Sequence, residues 1–297
     1  MTGEPTVEDP EPPTNWGRWG PEDERGTLNF ITQQTQARGL AAAATGRVVS
    51  LAHPITPVPL AAAPVPLTQA PMPTPVLQMM NYTGSPPSAL TDVLVITTHH
   101  TAMTHIDALG HIPIGDRVYP GTPLAEAIGG GTMRHGSTRA FNSGILTRGV
   151  LLDLAPGASL PPDHSITGAD LDAAAKRAAT TLESGDAIVV RGGWTVSQNL
   201  GKPLPGMTLD AVRWMADHEI SLYAGDIGDR PPTHPGRSLP LHQVGLAGLG
   251  LPLIDGADVT ELADTCRELG RWTFLLVVAA IPIIGATGVP VNPLAVF

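Results

Sequence analysis

Short runs of aliphatic and β-branched residues recur along the chain, and each is bounded by glycine, proline or aspartate. Runs of this kind between turn-forming residues are typical of β-strands. The pattern of hydrophobic positions therefore predicts a core built mainly from strands. The predicted strands are Val93–Thr98, Gly149–Leu154, Asp186–Arg191, Ile220–Ala224 and Trp272–Ala280.

Helical periodicity is less frequent and falls between the predicted strands. Thr208 is a favourable N-cap, and Asp258 with Glu261 three residues later has the spacing of a capping box. The chain shows no internal repeat and no shift in composition that would mark a boundary, so we expect a single β-rich α/β domain. The predicted helices are Ala169–Leu182, Thr208–His218 and a helix from Asp258 to Leu269 that stops at Gly270.

Composition supports this fold class. The 33 glycines and 31 prolines make up more than a fifth of the 297 residues, and so many turn formers argue against a helical bundle or a coiled coil. Hydrophobic residues account for 42% of the chain, which is enough to bury a real core. A disordered chain is therefore excluded.

The charge balance narrows the possible partners. Lysine and arginine number 17 against 27 acidic residues, and no basic cluster interrupts the negative balance. We therefore expect no binding to nucleic acid and none to membranes. The N-terminus lacks the apolar segment of a secretory signal, which favours a cytoplasmic protein.

The first residues of the chain and one proline-rich stretch predict extended structure. Residues 1–14 are acidic and rich in proline and predict a flexible tail before a domain that covers 15–297. Trp16 and Trp19 stand among turn formers, and we expect them to pack on the body or a neighbouring subunit, with substrate contact as the alternative. Prolines interleaved with apolar residues at 54–75 predict a polyproline-like flap or subunit-embracing arm.

Four of the ten histidines fall between His99 and His111. His105 and Asp107 are two residues apart, so on a strand they share a face, with Cβ atoms roughly 6–7 Å apart. Imidazole nitrogen together with carboxylate oxygen suits Zn²⁺ or Mn²⁺. Their apolar neighbours imply burial, which is costly for groups without a partner. We interpret the pair as metal ligands, the alternative being a solvated strand that carries histidines by chance.

The ligand upstream of His105 is either His99 or His100. On one unbroken strand His99 shares the parity of His105, which favours His99, whereas a β-bulge would reverse the choice in favour of His100. His111 follows Gly110, which breaks the strand, and is free to turn back towards the ion as a proton-transfer group.

A second group of candidate residues lies far downstream. His242 and Asp255 each look structural when taken alone, but next to the first cluster they can supply a second acid or base and a further carboxylate. Asp226 and Asp229 each follow a glycine at the end of a predicted strand. We interpret these two as turn-forming residues rather than as positioning residues.

The sequence lacks the motifs of several other classes of enzyme and nucleotide-binding protein. The chain has no Gly-x-Ser-x-Gly elbow, no P-loop and no Gly-x-Gly-x-x-Gly between a strand and a helix. Its only cysteine, Cys266, cannot form an intramolecular disulfide or a cysteine-based metal site. Because Cys266 lies inside a predicted helix, we expect it to be a core residue rather than a nucleophile.

The segment 104–111, THIDALGH, resembles the signature His-x-Gly-Thr-His-x-Asp-x-x-x-His of the metal-dependent cyclase/hydrolase family. That family includes bacterial kynurenine formamidase and isatin hydrolase. The opening at 15–32, NWGRWGPEDERGTLNFIT, is similar to that of the family's longer branch. Segments 148–153, 185–191 and 285–293 are similar as well, so the resemblance covers most of the chain.

The resemblance implies a swivelling β/β/α barrel-like cyclase fold assembled as a homodimer or homotetramer. It implies that His105 and Asp107 bind a divalent metal and that His111 is the general base or acid. His242 would match the family's downstream histidine. Asp255 would stand where the family usually has a glutamate.

The chain departs from the family pattern at several positions. Thr101 stands where the signature has its first ligand histidine, and Met103 replaces the glycine. An upstream histidine is common in the longer branch, and His99 fits that position. The shorter carboxylate of Asp255 implies one ion instead of two, a shifted set of ligands or altered chemistry.

These observations lead to a functional hypothesis. We expect metal-assisted hydrolysis of an amide, lactam or ester bond in a small carbonyl metabolite, with His111 and His242 exchanging protons with the reacting groups. A cyclase or dehydratase acting on a polyketide-like metabolite is one alternative. A degenerate, non-catalytic member that binds a small molecule is another.

Overall fold

The computed structural model describes residues 11–59, 76–195, 203–230 and 239–297. The sequence expectations for residues 1–10 of the tail and for 60–75 of the proline-rich stretch lie outside these ranges. The helices are α1 (Gln33–Ala41), α2 (Leu124–Ala127), α3 (Gly168–Arg177), α4 (Leu209–Asp217), a π-helix (Pro240–Leu249), α5 (Thr260–Leu269) and two 3₁₀ turns (Gly26–Phe30 and Thr138–Phe141).

The strands are short and spread over the whole chain. They are β1 (Val48–Ser50), β2 (Val58–Pro59), β3 (Val76–Thr83), β4 (Ala89–Ile96), β5 (His105–Asp107), β6 (Arg117–Val118), β7 (Thr122–Pro123), β8 (Ile128–Gly129), β9 (Thr132–Met133), β10 (Ile145–Asp153), β11 (Ser165–Ile166), β12 (Ala187–Arg191), β13 (Gly206–Met207), β14 (Leu222–Gly225), β15 (Leu253–Asp255), β16 (Thr273–Val278), β17 (Gly288–Pro290) and β18 (Leu294–Val296).

One nine-stranded sheet organises the molecule, in the order β1-β18-β16-β10-β12-β14-β15-β5-β17. Its four central strands, β10, β12, β14 and β15, are parallel. Such strands need crossover connections, and α3, α4 and the π-helix provide them. The flanking strands pair antiparallel, β16 with β10 on one side and β5 with β15 on the other. The prediction of one β-rich α/β domain is confirmed.

The sheet is covered on both faces, which explains the continuous hydrophobic runs in the sequence. Along β12, Ile188 and Val190 join one buried cluster, with residues of α3, α4 and the π-helix. Val189 points to the other face and joins residues of α5. Cys266 on α5 lies in this second cluster and is fully buried, as expected for a core residue.

The central strands and helix α4 match the sequence expectations within a few residues. Helix α3 is shorter than expected, because it ends at Arg177 and Ala179 takes a left-handed backbone angle, φ 48°. The predicted capping box at Asp258 is wrong, since Val259 is the N-cap of α5 and makes no side-chain capping bond. A capping box does form at the start of α3, between Thr167 and Asp170.

Strand β4 contains most of the predicted strand Val93–Thr98 but does not belong to the main sheet. It forms a hairpin with β3, and β2 pairs with the other edge of β3. The chain then turns through residues 97–104 before it enters β5. The unbroken strand on which the parity argument for His99 depends therefore does not form.

The N-terminal arm packs on the body. Thr14 Oγ1 donates to the carbonyl of Gly248 at 3.1 Å, and Trp16 Nε1 donates to that of Ala247 at 2.8 Å. Trp19 meets Phe30 edge to face, with ring centroids 5.2 Å apart. Among the described residues, no helix combines the length and the apolar character needed to cross a bilayer.

Candidate metal centre

Strand β5 presents two candidate ligands on one face. His105 and Asp107 alternate with Ile106, whose side chain enters the core on the opposite face. The exposed fraction is 5% for His105 and zero for Asp107. The distance from His105 Nε2 to Asp107 Oδ1 is 3.5 Å. The predicted strand geometry of this pair is confirmed.

A backbone hydrogen bond fixes the orientation of the His105 ring. Its Nδ1 lies 2.8 Å from the carbonyl oxygen of Met103, and a carbonyl only accepts, so Nδ1 carries the proton. The lone pair of Nε2 is therefore directed towards Asp107. Metal-binding histidines commonly donate their other ring N–H to a backbone carbonyl in this way.

The turn after β4 brings His99, but not His100, to Asp107. The Nδ1 atom of His99 lies 2.9 Å from Asp107 Oδ1, and its Nε2 atom lies 3.0 Å from Thr287 Oγ1. His100 instead accepts a hydrogen bond from the backbone N–H of Ala102. The turn thus brings His99, the histidine that strand parity favoured, next to Asp107. It does so without the unbroken strand that the parity argument assumed.

His111 stacks on His99. Their ring centroids are 3.5 Å apart and the rings are nearly parallel, at 4°. Burial, together with the neighbouring histidines, lowers the pKa of His111 to about 4, although the charge of Asp107 opposes the shift. The ring is therefore neutral at physiological pH and able to accept a proton.

His242 lies on the π-helix among three carboxylates. Its Nε2 atom is 3.2 Å from Asp107 Oδ2 and 3.3 Å from Asp255 Oδ2, and its Nδ1 atom is 2.5 Å from Asp229 Oδ2. Burial alone would lower the pKa of His242, but the three nearby carboxylates outweigh it and hold the pKa well above the ordinary value. His242 and His111 are thus driven towards opposite protonation states.

Asp255 owes its position to the register of the sheet. It lies on β15 directly opposite His105 on β5, so both side chains project from the same face. The neighbouring pair places Ile254 opposite Ile106 in the core. The spacing between the two candidate ligands is therefore set by backbone pairing.

The interpretation of Asp226 and Asp229 as mere turn formers is wrong. Asp229 holds the ring of His242 and also accepts from the backbone N–H of Leu241. Asp226 accepts hydrogen bonds from three consecutive backbone N–H groups at residues 192–194. Both follow parallel strand β14, and the signal that points to them is that ligands bind beyond the carboxyl ends of parallel strands.

The donor atoms fit a divalent metal ion. Four buried atoms here have no hydrogen-bond partner among the described residues: His99 Nδ1, both carboxylate oxygens of Asp107, and Asp255 Oδ1. Burial favours a neutral Asp107, but the neighbouring imidazoles of His242, His99 and His105 hold its pKa well below the usual range. An anionic carboxylate with unused lone pairs among imidazoles suits zinc-type and manganese-type ions.

Two overlapping sets of residues meet the geometric requirement for a metal site. One set is His99, Asp107 and His111, and the other is His105, Asp107 and Asp255. In each set the ligand atoms lie within 4.8 Å of one another. Asp107 belongs to both sets, so it is the centre of the cluster.

A cavity of about 360 Å³ opens beside the cluster. His111, His242 and Asp255 line its polar end together with Thr101. Trp16 and Trp19 do not line this cavity; Trp16 lines a separate one near Gly248. The rest of the cavity beside the cluster is lined by Asp226, Gly228 and Asp229 and by an apolar majority: Ile112, Trp194, Leu204, Pro205, Ile227 and Leu239.

Fold and site together define an α/β protein with a buried histidine–carboxylate centre, and comparison with known families identifies its group. The family model described as "Putative cyclase" matches residues 49–229. This match covers more than half of the chain, which therefore belongs to the cyclase family of enzymes. The resemblance drawn from the segment 104–111 is confirmed.

Solved structures show the same fold. A crystal structure described as a novel cyclase is 29% identical, with a TM-score of 0.81, over 96% of this chain and 98% of that chain. Isatin hydrolase A from Labrenzia aggregata, bound to benzyl benzoate, is 18% identical (TM-score 0.60; 87% of this chain, 97% of that chain). Isatin hydrolase A from Ralstonia solanacearum is 17% identical (TM-score 0.58; 89% and 97%). No curated protein matches significantly.

Proposed function

We propose that this protein is a metal-dependent hydrolase that cleaves an amide, lactam or ester bond of a small carbonyl compound. The observation that carries the proposal is the convergence of unpaired, buried donor atoms on Asp107 at the polar end of an apolar cavity. Orphaned polar groups in a protein interior cost several kcal/mol each unless something satisfies them. A bound cation satisfies all of them together.

In this proposal His99, His105 and Asp107 hold the ion, and Asp255 is an additional ligand or a positioning group. Nitrogen and oxygen donors without cysteine favour Zn²⁺ or Mn²⁺. Such an ion, when bound, lowers the pKa of a coordinated water and polarises a carbonyl group. This proposal does not use His100 as a ligand, because its Nδ1 accepts a hydrogen bond from the backbone N–H of Ala102.

His111 and His242 divide the proton transfers. Both line the cavity, and their ring centroids are 6.2 Å apart, so both rings can reach one small substrate group in the cavity. His111 removes the proton from the attacking water, and His242 donates a proton to the leaving nitrogen or oxygen. Asp229 holds His242 through Nδ1, which leaves Nε2 directed into the site.

The cavity walls support this choice of substrate class. A volume of about 360 Å³ accommodates a small molecule. The described wall residues away from the cluster are mainly apolar and carry no basic side chain, so the cavity suits an uncharged, partly apolar carbonyl compound. The isatin hydrolases of the same fold support this choice.

The family name and the structure described as a novel cyclase favour a second candidate, a metal-dependent cyclase or dehydratase. The same residues can catalyse cyclisation or dehydration if His111 removes a proton from the carbon atom next to a polarised carbonyl instead of from water. A panel of N-formyl, lactam and ester compounds separates the two. Release of carboxylic acid supports hydrolysis, whereas loss of water or ring closure without acid release supports the cyclase.

Substitution of two ligands tests the proposal. His105→Ala and Asp107→Ala should each lower bound metal, measured by elemental analysis, from near one ion per chain to less than about a tenth and abolish hydrolysis, because each removes a donor from the shared centre. His100→Ala is the matched control in the same segment and should keep both metal and activity. Full activity in a metal-free His105→Ala protein would contradict the proposal, and a native protein that takes up no metal supports the non-catalytic binding alternative.

A further inference from the structure

Thr101 stands where three cavities meet. It lines the cavity of about 360 Å³ beside the metal cluster, a second cavity of about 200 Å³, and a space of about 180 Å³ within the candidate metal centre itself. We call the first two the apolar cavity and the polar cavity. Trp194 and Asp226 line both of them as well. The two cavities are therefore neighbours, and the candidate metal centre lies at their junction.

The polar cavity carries hydrogen-bonding groups that lie away from the metal cluster. His53 and Thr195 line it, together with Thr101 and Asp226 from the junction. The Nδ1 atom of His53 is 3.7 Å from Asp258 Oδ2, which is beyond hydrogen-bond distance. Thr101 is exposed, and its hydroxyl makes no hydrogen bond with a described residue. The imidazole of His53 and the hydroxyl of Thr101 are therefore available to a ligand.

Charge determines which chemical group fits the polar cavity. None of its described lining residues is a lysine or an arginine, and His53 already faces Asp258, so an acidic substituent would be buried without a counter-charge. A cationic substituent gains little, because the carboxylate of Asp226 already accepts three backbone N–H groups. An uncharged hydroxyl or amide group both donates and accepts, as do a threonine hydroxyl and a neutral imidazole. The polar cavity thus suits such a group.

The identity of residue 101 keeps the two cavities connected. The family signature has a histidine at this position, and a ring there would occupy the junction. Threonine is much smaller and leaves the junction open. The backbone of this turn is held nearby, since Thr104 Oγ1 donates to the carbonyl of Gly256 at 2.6 Å. The size of the side chain at position 101 therefore decides whether the cavities are connected.

The two cavity histidines indicate which part of a substrate enters each cavity, a step that rests on the proposed function. His111 and His242 line the apolar cavity but not the polar cavity. The leaving group, which takes its proton from His242, therefore lies on the apolar side, and the acyl side of the scissile bond points past Thr101. We propose that substrates combine an apolar leaving group with an acyl chain that carries a hydroxyl or amide group, and that Thr101 admits this chain to the polar cavity.

Two matched pairs of compounds test this inference on the metal-loaded full chain. Phenyl butanoate and phenyl 3-hydroxypropanoate differ only in a methyl or a hydroxyl group at the end of the acyl chain. The native protein should cleave the hydroxy ester with a kcat/KM about tenfold higher, which is the discrimination expected of a hydrogen-bonding site. Benzyl propyl ketone and benzyl hydroxyethyl ketone are the uncleavable counterparts, and calorimetry should show about tenfold tighter binding of the hydroxy ketone.

Substitutions at the junction and in the polar cavity locate the discrimination. Thr101→His fills the junction, and Ala102→Phe fills the polar cavity from a residue that lines neither the apolar cavity nor the metal centre. Each should reduce both hydroxyl preferences to less than about twofold, whereas Thr101→Ser, which keeps the hydroxyl and the opening, should retain them. Leu204→Ala is the matched control, because Leu204 lines the apolar cavity and not the polar one. It should weaken both members of each pair equally.

Circular dichroism establishes that each variant is folded, and Ala102→Phe alone carries the test if Thr101→His does not fold. The inference is overturned if the native protein shows no hydroxyl preference in either pair, or if the folded variants keep the native preference. Cleavage of both esters at equal rates, with equal binding of the ketones, would overturn it and leave the hydrolase proposal intact. A hydroxyl preference among the ketones without ester cleavage would support the polar cavity and count against the hydrolase proposal.

Discussion

Asp226 is a buried carboxylate that holds a wall of the cavity in place. It accepts hydrogen bonds from the backbone N–H groups of Gly192, Gly193 and Trp194 at 2.7 to 3.1 Å. Trp194 lines the cavity beside the candidate metal centre. Asp226 thus links the end of β14 to the loop that follows β12, and it positions the backbone that carries Trp194.

Burial raises the pKa of Asp226 to about 6, although the three N–H donors and Arg191 act in the opposite direction. Because this pKa lies above the unfolded value near 4, protonation of Asp226 stabilises the folded protein. The stability that Asp226 contributes is therefore fully present below about pH 4 and is lost as the pH rises through 6.

The variant Asp226→Asn cannot titrate, so its stability relative to the native protein should rise by about 2–3 kcal/mol between pH 4 and pH 7. Urea unfolding at several pH values measures this difference. Loss of hydrogen bonds to the 192–194 loop changes the free energy of unfolding of the variant by the same amount at every pH. It therefore does not alter the dependence of the difference on pH. A difference that stays flat with pH would contradict the assignment.

At the scale of elements, the π-helix that carries His242 ends where two glycines meet. Gly250 ends this helix with a left-handed φ of 69°, and its carbonyl accepts the backbone N–H of Thr27 at 2.8 Å. A Cβ atom on Gly250 would lie 2.6 Å from Tyr119 Cε2 and 2.8 Å from Gly26 Cα. Neither contact has room for a side chain.

We expect Gly250→Ala to lower the free energy of unfolding by about 2 kcal/mol or more, because backbone strain adds to the clash with Tyr119. Gly245→Ala is the control within the same helix, since the nearest atoms to its Cβ would lie 3.6 Å away or farther. The control should be neutral or slightly stabilising. Equal loss in both variants, measured by thermal unfolding, would disprove this account.

The elements differ in how far the sequence predicts them. Strand β12 and helix α4 are predictable because their signals are local: a buried run between turn formers, and Thr208 as N-cap. The β5–β15 pairing is not predictable, because it joins residues far apart in the chain and β5 is only three residues long. His105 and Asp107 were accessible through their two-residue spacing. For Asp229 the sequence indicates only a position after a strand, because its contact with His242 depends on the π-helix that turns His242 towards it.

At the scale of the whole molecule, the candidate metal centre joins distant parts of the chain. Its donors come from the turn before β5, from β5 itself and from β15. One bound ion would therefore tie three segments together, and it would bind the folded state far better than the unfolded one. Stability should depend on metal concentration.

Addition of Zn²⁺ or Mn²⁺ to chelator-treated protein, at a free concentration 100-fold above its dissociation constant, should raise the free energy of unfolding by about 2.7 kcal/mol. Calorimetric unfolding with and without the ion measures this effect. The His105→Ala variant should show less than a third of the increase. An equal increase in that variant would place the ion elsewhere on the molecule.

Strand β5 lies between β15 and β17 and pairs with no other strand of the main sheet. Both neighbours come late: Asp255 emerges from the ribosome roughly 150 residues after Asp107, a delay of about ten to thirty seconds at ordinary rates of synthesis. During that interval His105 and Asp107 belong to an unpaired segment. An ion held by these residues would therefore be acquired after most of the chain has been translated, so metal supply would act on nearly finished molecules and not on the nascent chain.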